Sequence, residues 1–328
     1  MRGEDRRGLM INGERIMRYV VRHEQAGRTI VVFLSAKFPY HDFEEWGRLV
    51  ISGSVLVNDK QAAPDTVLNE NDVVRYCAVD AHEPRVDTAI TVLHEDQDII
   101  LIDKSGDLPV HPAGKYFKNT LWGILKDSLN ISEPSIINRL DRETSGVTLV
   151  AKNPRAAGIC RRQFNCRSVT KKYTVIAEGV FERPVHARGY IARCAGSSIR
   201  KKQRFEPASS SFPEPGREAE WADTKFTPLA SNGGISVVEA IPHTGRLHQV
   251  RATLLSLGYP VVGDKMYGLD EGVFLRFIED RVTAQDAAKM RIKRQALHAS
   301  ELIFRHPSDG RAMAVAAPLP PDMRGLIS

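Results

Sequence analysis

The 328-residue chain is short of the features that would set it apart from ordinary folded proteins. No run approaches the ~18 uninterrupted apolar residues that a membrane-spanning helix needs, and residues 1 to 15 lack the apolar segment of a secretory signal. A cytoplasmic location without a membrane partner is the expectation. Cysteine is scarce: Cys77, Cys160, Cys166 and Cys194 form no CxxC pair and no zinc-type spacing, so free thiols and no bound metal are expected. The Asn-x-Ser triplet at Asn130 is a chance match without an export signal. A dinucleotide glycine fingerprint and a Walker phosphate loop are missing, so no nucleotide cofactor is expected, and no internal repeat suggests a solenoid. Hydrophobic residues at 42% and charged ones at 26% argue against a disordered or fibrous chain.

What is present is two regions of different character, as the length suggests. Residues 1 to 85 carry 12 Lys/Arg against 13 Asp/Glu, and residues 86 to 328 carry the remaining 34 against 27. The basic surplus lies in the larger part and is compatible with a polyanionic partner. From Thr29 to Tyr76 the pattern predicts a first helix led by Val31 to Leu34 and a second on Phe43, Trp46, Leu49 and Val50, which Gly53 ends. Strands at Val55 to Val57 and Asp72 to Tyr76 follow, the first closing on an Asn58-Asp59 turn. Residues 78 to 87 lack periodicity and read as a linker.

Beyond the linker, strands are expected at 89–93, 98–102, 147–151, 173–177 and 235–241. Helices are expected from Asn119, from the Asn153-Pro154 cap to about Cys166, and from Arg246 to Leu257. The Ser- and Pro-rich stretch 196–216, with Arg200, Lys201, Lys202 and Arg204, reads as an exposed loop. An α+β domain is the natural outcome.

Two runs concentrate chemistry. Residues 136–146 place Asp141 between Arg139 and Arg142 just ahead of an apolar strand. A cation within about 4 to 6 Å would keep Asp141 ionised, fit to act as nucleophile or base, although the same residues also suit a surface ion-pair cluster. Residues 242–251 put His248 and Arg251 three apart on one face of the expected helix, with Arg246 at its start, which suits either an anion site or a capped helix with solvated cations.

These runs resemble those of the RluA-type RNA pseudouridine synthases. Residues 138 to 146 match the family pattern His-Arg-Leu-Asp-Arg-x-Thr-Ser-Gly everywhere but its first position, where Asn138 stands. Lys171-Lys172-Tyr173 matches the Lys-x-Tyr strand, 245–251 the Gly-Arg-x-His-Gln-hydrophobic-Arg helix, 258–268 its continuation, and Leu297-His298-Ala299 through Pro307 the last strand. Residues 29 to 76 look like the small RNA-binding module of a ribosomal small-subunit protein.

The resemblance implies a mixed, largely antiparallel central sheet with flanking helices over residues 89–328. It also implies a small αβ RNA-binding module at 29–78, an extension at 1–28 and a linker at 79–88. Asp141 would be the nucleophile, Arg251 its ion-pair partner with Arg246 as second choice, Tyr173 the aromatic against the uracil, and Leu297 an apolar wall. Arg139 would fill the space left by a flipped base, with Arg142, His248 and Gln249 as further substrate contacts. Arg161, Arg162, Arg167 and the 200–204 loop would meet phosphates. The partner would be structured ribosomal or transfer RNA, with no cofactor and a monomer favoured. A non-catalytic RNA-binding protein on this scaffold is the alternative. A glycoside hydrolase would need a second carboxylate ~5 to 10 Å from Asp141, and Glu143 is the one nearby in sequence.

Overall fold

The computed structural model describes residues 9–11, 14–38, 41–77, 83–113, 116–129, 131–208, 219–268, 270–279 and 281–327. Asn130, residues 78–82 of the expected linker and residues 209–216 of the expected loop lie outside them. The chain divides into two compact units, Met1–Pro84 with Ala113–Phe117, and Arg85–Pro112 with Lys118–Ser328.

The first unit contains strands β1 (Leu9–Ile11) and β2 (Glu14–Val20), helices α1 (Ile30–Lys37) and α2 (Phe43–Ile51), and strands β3 (Val55–Val57), β4 (Lys60–Gln61) and β5 (Val73–Cys77). Its sheet has the order β1-β2-β5-β3-β4. Helix α2 starts at Asp42, whose carboxylate accepts the Glu45 amide at 2.8 Å, and buries Trp46 and Val50 against α1. Asn58 and Asp59 both take positive φ, as the tight hairpin requires. Strand β2 lies within the residues expected as an extension. Three charges, Glu14, Arg15 and Arg18, dilute its apolar pattern, and pairing with β5 makes it a strand.

The second unit runs β6 (Ile90–Glu95), β7 (Ile99–Lys104), α3 (Leu121–Asp127), β8 (Ser135–Ile136), β9 (Ser145–Ala151), α4 (Pro154–Asn165), β10 (Thr170–Glu178), β11 (Val185–Arg193), β12 (Gln203–Pro207), β13 (Glu220–Asn232), β14 (Ile235–Pro242) and α5 (Gln249–Ser256). Helices α6 (Gly272–Ile278) and α7 (Ala284–Met290), strands β15 (Leu297–Arg305) and β16 (Ala312–Ala316) and helix α8 (Pro321–Ile327) complete it. One sheet takes the order β12-β11-β13-β14-β10-β15-β9-β7-β6, with β16 on β15 and β8 on β9. Within it β9 and β15 run parallel and the other pairs antiparallel. This is the mixed, largely antiparallel α+β architecture expected.

Apolar runs in β7 and β9 are explained by cover on both faces. Ile99, Leu101, Val147 and Leu149 pack with Ala156, Ala157 and Cys160 of α4, whereas Ile100, Ile102 and Val150 pack with Leu121 and Leu125 of α3. Asn153 caps α4 by accepting the Ala156 amide at 2.9 Å. A third cluster, including Val175, Phe226, Val238 and Leu254, fills the other half of the sheet against α5.

Two expectations change. The stretch expected as a loop contains β12, because Phe205 turns into the core while Arg204 and Glu206 face out, a period-two pattern hidden among polar neighbours. Helix α5 begins at Gln249 and not Arg246, because His248 is left-handed (φ 55°) and ends the preceding turn. His248 and Arg251 therefore do not share a helical face. Among the described residues no helix is long and apolar enough to cross a membrane, and Cys160, Cys166 and Cys194 are free.

Gly146 sits where β9 meets β15, with φ of 109°, and a Cβ there would overlap the carbonyl of Ala299. Positive φ and overlap act together, so Gly146→Ala should lower unfolding stability by at least about 2 kcal/mol. Denaturant unfolding of the two proteins side by side measures it.

Candidate active site

Residues 137–144 form a loop between β8 and β9, and Asn138 fixes its base. The Asn138 side chain donates to the Val147 carbonyl at 3.0 Å and accepts the Leu149 amide at 2.7 Å, extending the β-ladder by one side chain. The departure from the family's histidine thus leaves the loop anchored. Lys104, fully buried, donates to the carbonyls of Ser105 (2.6 Å), Leu108 (2.9 Å) and Arg142 (3.0 Å). Burial, reinforced by the Arg294 charge, pushes this lysine down to about 7. Farther along the loop, Gln295 donates to Thr144 Oγ1 at 2.6 Å and Arg294 to the Glu143 carbonyl at 3.2 Å.

At the centre of this loop is Asp141. Its Oδ2 accepts from Arg251 Nη1 at 2.7 Å and, more weakly, from Gln295 Nε2 at 3.5 Å. Arg251 is itself clamped: Nε and Nη2 donate to the two oxygens of buried Asp264 at 2.7 and 2.9 Å, and its guanidinium stacks 4.8 Å from the Tyr267 ring centroid. Asp264 also accepts the Met266 and Tyr267 amides, so its own position is fixed. Burial, the largest single influence, would raise the Asp141 carboxyl, but the Arg251 and His248 charges and the hydrogen bonds from Arg251 and Gln295 together outweigh it and hold the group below the usual carboxylate range. The two carboxylates likewise overcome burial at Arg251 and drive its guanidinium further toward the charged form.

His248 Nε2 lies 3.8 Å from Asp141 Oδ1, but burial and the Arg251 charge push the imidazole down to about 4, so at neutral pH the pair is not ionic. Tyr267 Oη accepts the Gln203 amide at 2.7 Å and lies within hydrogen-bond distance of His248 Nδ1, at 2.9 Å, which fixes the imidazole in place beside Asp141. Oδ2 is occupied by Arg251, and among the described residues Oδ1 has no hydrogen-bond partner.

A cavity of ≈ 310 Å³ opens over this carboxylate. Tyr173 and Leu297, on neighbouring strands β10 and β15, supply an aromatic and an aliphatic wall, and exposed Arg139 lies at the edge. Burial, then the Asp141 charge, raises the Tyr173 phenol to about 12, so it is neutral at physiological pH.

Other expected site residues are engaged elsewhere. Arg142 donates to Asp107 at 2.7 Å, so the arginine that holds Asp141 comes from 110 residues downstream and not from its own run. Arg246 lines the cavity, yet its guanidinium goes to Glu220 (2.6 Å) and the Trp221 carbonyl (3.0 Å). Gln249 spends both amide ends on Thr244, the Arg246 amide, Asp223 and Thr224, so it holds the turn and has no free group for a ligand. Glu143 is paired with Lys265 at 2.6 Å. Asp264, Tyr267, Lys171 and Gln295 were not foreseen as site residues. The first three lie in motif segments that announce them, whereas nothing around Gln295 sets it apart.

Comparison with known proteins agrees with this geometry. Residues 98–256 match the family model described as RNA pseudouridylate synthase. A protein of Chlorobaculum parvum named "Uncharacterized RNA pseudouridine synthase" is 34% identical over 83% of this chain and 84% of its own length. The chain belongs to the RNA pseudouridine synthase family. It is therefore an isomerase acting on RNA. "Ribosomal large subunit pseudouridine synthase D" of Xanthomonas campestris is 28% identical over 94% of this chain and 91% of that protein. The solved structure "Human RNA Pseudouridylate Synthase Domain Containing 4" superposes with a TM-score of 0.54 at 26% identity, covering 71% of this chain and 90% of the human one. Among the described residues of this synthase no group of three or more His, Cys, Asp or Glu could hold a metal ion.

Arg251→Gln would leave the buried Asp264 without its cation, and breaking such a pair costs about 3 to 5 kcal/mol, readable by denaturant unfolding. The same change should raise the Asp141 carboxyl. Because its folded value is depressed, Asp141 stabilises the parent above its ordinary 3.8, and this contribution is lost as pH falls through the folded value. Carboxylate NMR titration of parent and variant should show the Asp141 signal moving to higher pH in the variant.

Proposed function

We propose that this synthase converts specific uridines in structured RNA, ribosomal or transfer, to pseudouridine with Asp141 as nucleophile. The observation that carries the reading is the carboxylate kept ionised by Arg251, with Oδ1 free, inside a cavity walled by Tyr173 and Leu297. Its volume is at the lower end of the ~300 to 1,000 Å³ typical of small-molecule sites and suits one extruded nucleobase. Oδ1 attacks the anomeric carbon or uracil C6, and the bond between C1′ and N1 breaks. The base turns, a bond forms between C1′ and C5, the bond to Asp141 breaks and returns the free carboxylate, and C5 loses its proton while N1 gains one, so the product is an isomer and nothing is oxidised. Arg251 provides fixed charge that needs no reorganisation during the reaction. Tyr173, neutral, lies against the uracil and relays the C5 proton through its hydroxyl. It does not act as a standing phenolate.

Extrusion of the base from a stem-loop costs a few kcal/mol. Arg139, exposed beside the cavity, is placed to stack where the base was, since a planar guanidinium packs well on neighbouring bases. The first unit serves as an RNA-binding module. An assembly protein without catalysis would have no use for an ionised, half-open Asp141 joined to a neutral tyrosine and an apolar wall.

Asp141→Asn should abolish pseudouridine formation in total RNA, mapped at nucleotide resolution, while RNA affinity stays within a few fold. Activity equal to the parent would overturn the nucleophile assignment, and the mapped positions identify the RNA. Removing residues 1–84 should weaken RNA binding in a filter assay while the thermal unfolding of the remainder changes little.

A further inference from the structure

A second cavity, ≈ 280 Å³, adjoins the first and shares Phe164, Lys171, Thr244, Gly245 and Arg246 with it. Arg167 and His243 belong to the second cavity alone. None of the described residues lining it is a carboxylate. Arg246 is neutralised by Glu220, whereas Lys171 Nζ has one hydrogen bond to the Thr244 carbonyl at 2.9 Å, which uses one of its three protons and leaves its charge unbalanced. Arg167 is exposed and takes the left-handed position just past the end of α4 (φ 57°), a place that glycine usually fills. The chain thus accepts an uncommon backbone conformation where an arginine reaches this cavity.

We propose that the second cavity binds the phosphodiester flanking the target uridine, with Lys171 and Arg167 as its cations. The inference rests on the uridine isomerase reading of the first cavity. A base held in that cavity keeps its covalently attached backbone beside it, and Lys171 stands on the wall that the two cavities share. Burial, with the Arg167 and Arg246 charges, holds the Lys171 ammonium down at about 8, a strain that a phosphate between them relieves. Gly245 keeps the junction open: a Cβ there would lie 3.5 Å from Lys171 Nζ, which the fold tolerates but which takes space from a phosphate oxygen.

The test uses the full chain and a labelled short oligoadenylate with one central uridine. The oligomer is made with natural linkages or with a neutral methylphosphonate on the 5′ or 3′ side of the uridine, and anisotropy titrations are run over a range of salt. One neutral linkage should weaken binding to the parent several fold and have no further effect on Arg167→Gln/Lys171→Met. Each lost contact should reduce the salt slope by about 0.7. Gly245→Ala, which changes no charge, should also remove the preference for the natural linkage. Equal binding of all three oligomers by the parent, or an undiminished linkage effect in the double variant, overturns the subsite. Pseudouridine formation by the parent then still stands, whereas an active Asp141→Asn would remove the function itself.

Discussion

The site depends on one guanidinium shared by two carboxylates. Arg251 is gripped by Asp264 through two parallel hydrogen bonds and presents its remaining edge to Asp141. Bidentate pairing fixes the plane of the arginine, so the direction of the third bond is set before any substrate arrives. Asp264 is completely buried and could not remain charged there alone; the Met266 and Tyr267 amides and Arg251 together offset its desolvation. Asp141 keeps about 30% of its side-chain surface open, so the charge is both stabilised and available.

The loop bearing Asp141 has equally specific supports. Asn138 joins it to β9, Lys104 ties the Arg142 carbonyl to the turn after β7, and Arg294 joins the Glu143 carbonyl to Asp322 of α8 through a pair at 2.7 Å. A lysine with three carbonyl acceptors and no direct carboxylate partner is an expensive choice for a core. Its position beside the Asp141 loop accounts for it: three short bonds radiating from one atom hold backbone that has no ladder of its own. Gly146, at the end of the same loop, lets β9 and β15 approach closely enough to bring Asp141, Gln295 and Leu297 together.

Electrostatics divides the two adjoining cavities. Around Asp141 the first cavity has its charges matched, Arg251 with Asp141 and Asp264, one carboxylate oxygen free, and a phenol and an imidazole held uncharged. The second has surplus positive charge and, among the described residues that line it, no acid. That contrast suits a nucleotide, whose base is neutral and whose backbone is anionic.

Much of this was legible in the sequence because it is local. The alternation of β3 and β5, the Asn153-Pro154 start of α4 and the apolar run of β9 depend on neighbours along the chain, and the order of motifs around Asp141, Tyr173 and Arg251 marked the family. Strands β2 and β12 were not legible, since charges break the apolar pattern of β2, only Phe205 of β12 is buried, and their pairing partners lie elsewhere in the chain. Local pattern hid partner choice for the same reason, and only the family resemblance pointed to Arg251 for Asp141. The arginines adjacent to Asp141 in sequence gave no sign that one faces Asp107 and the other the edge of the cavity, and the helix expected at Arg246 starts later because His248 adopts a left-handed turn. Sequence by itself determined which chemical groups are available and on which elements they ride. Only the tertiary structure decided which cation meets which carboxylate, because strength and direction in an ion pair depend on a few ångströms of distance and on burial, and both are set by contacts between residues more than a hundred positions apart.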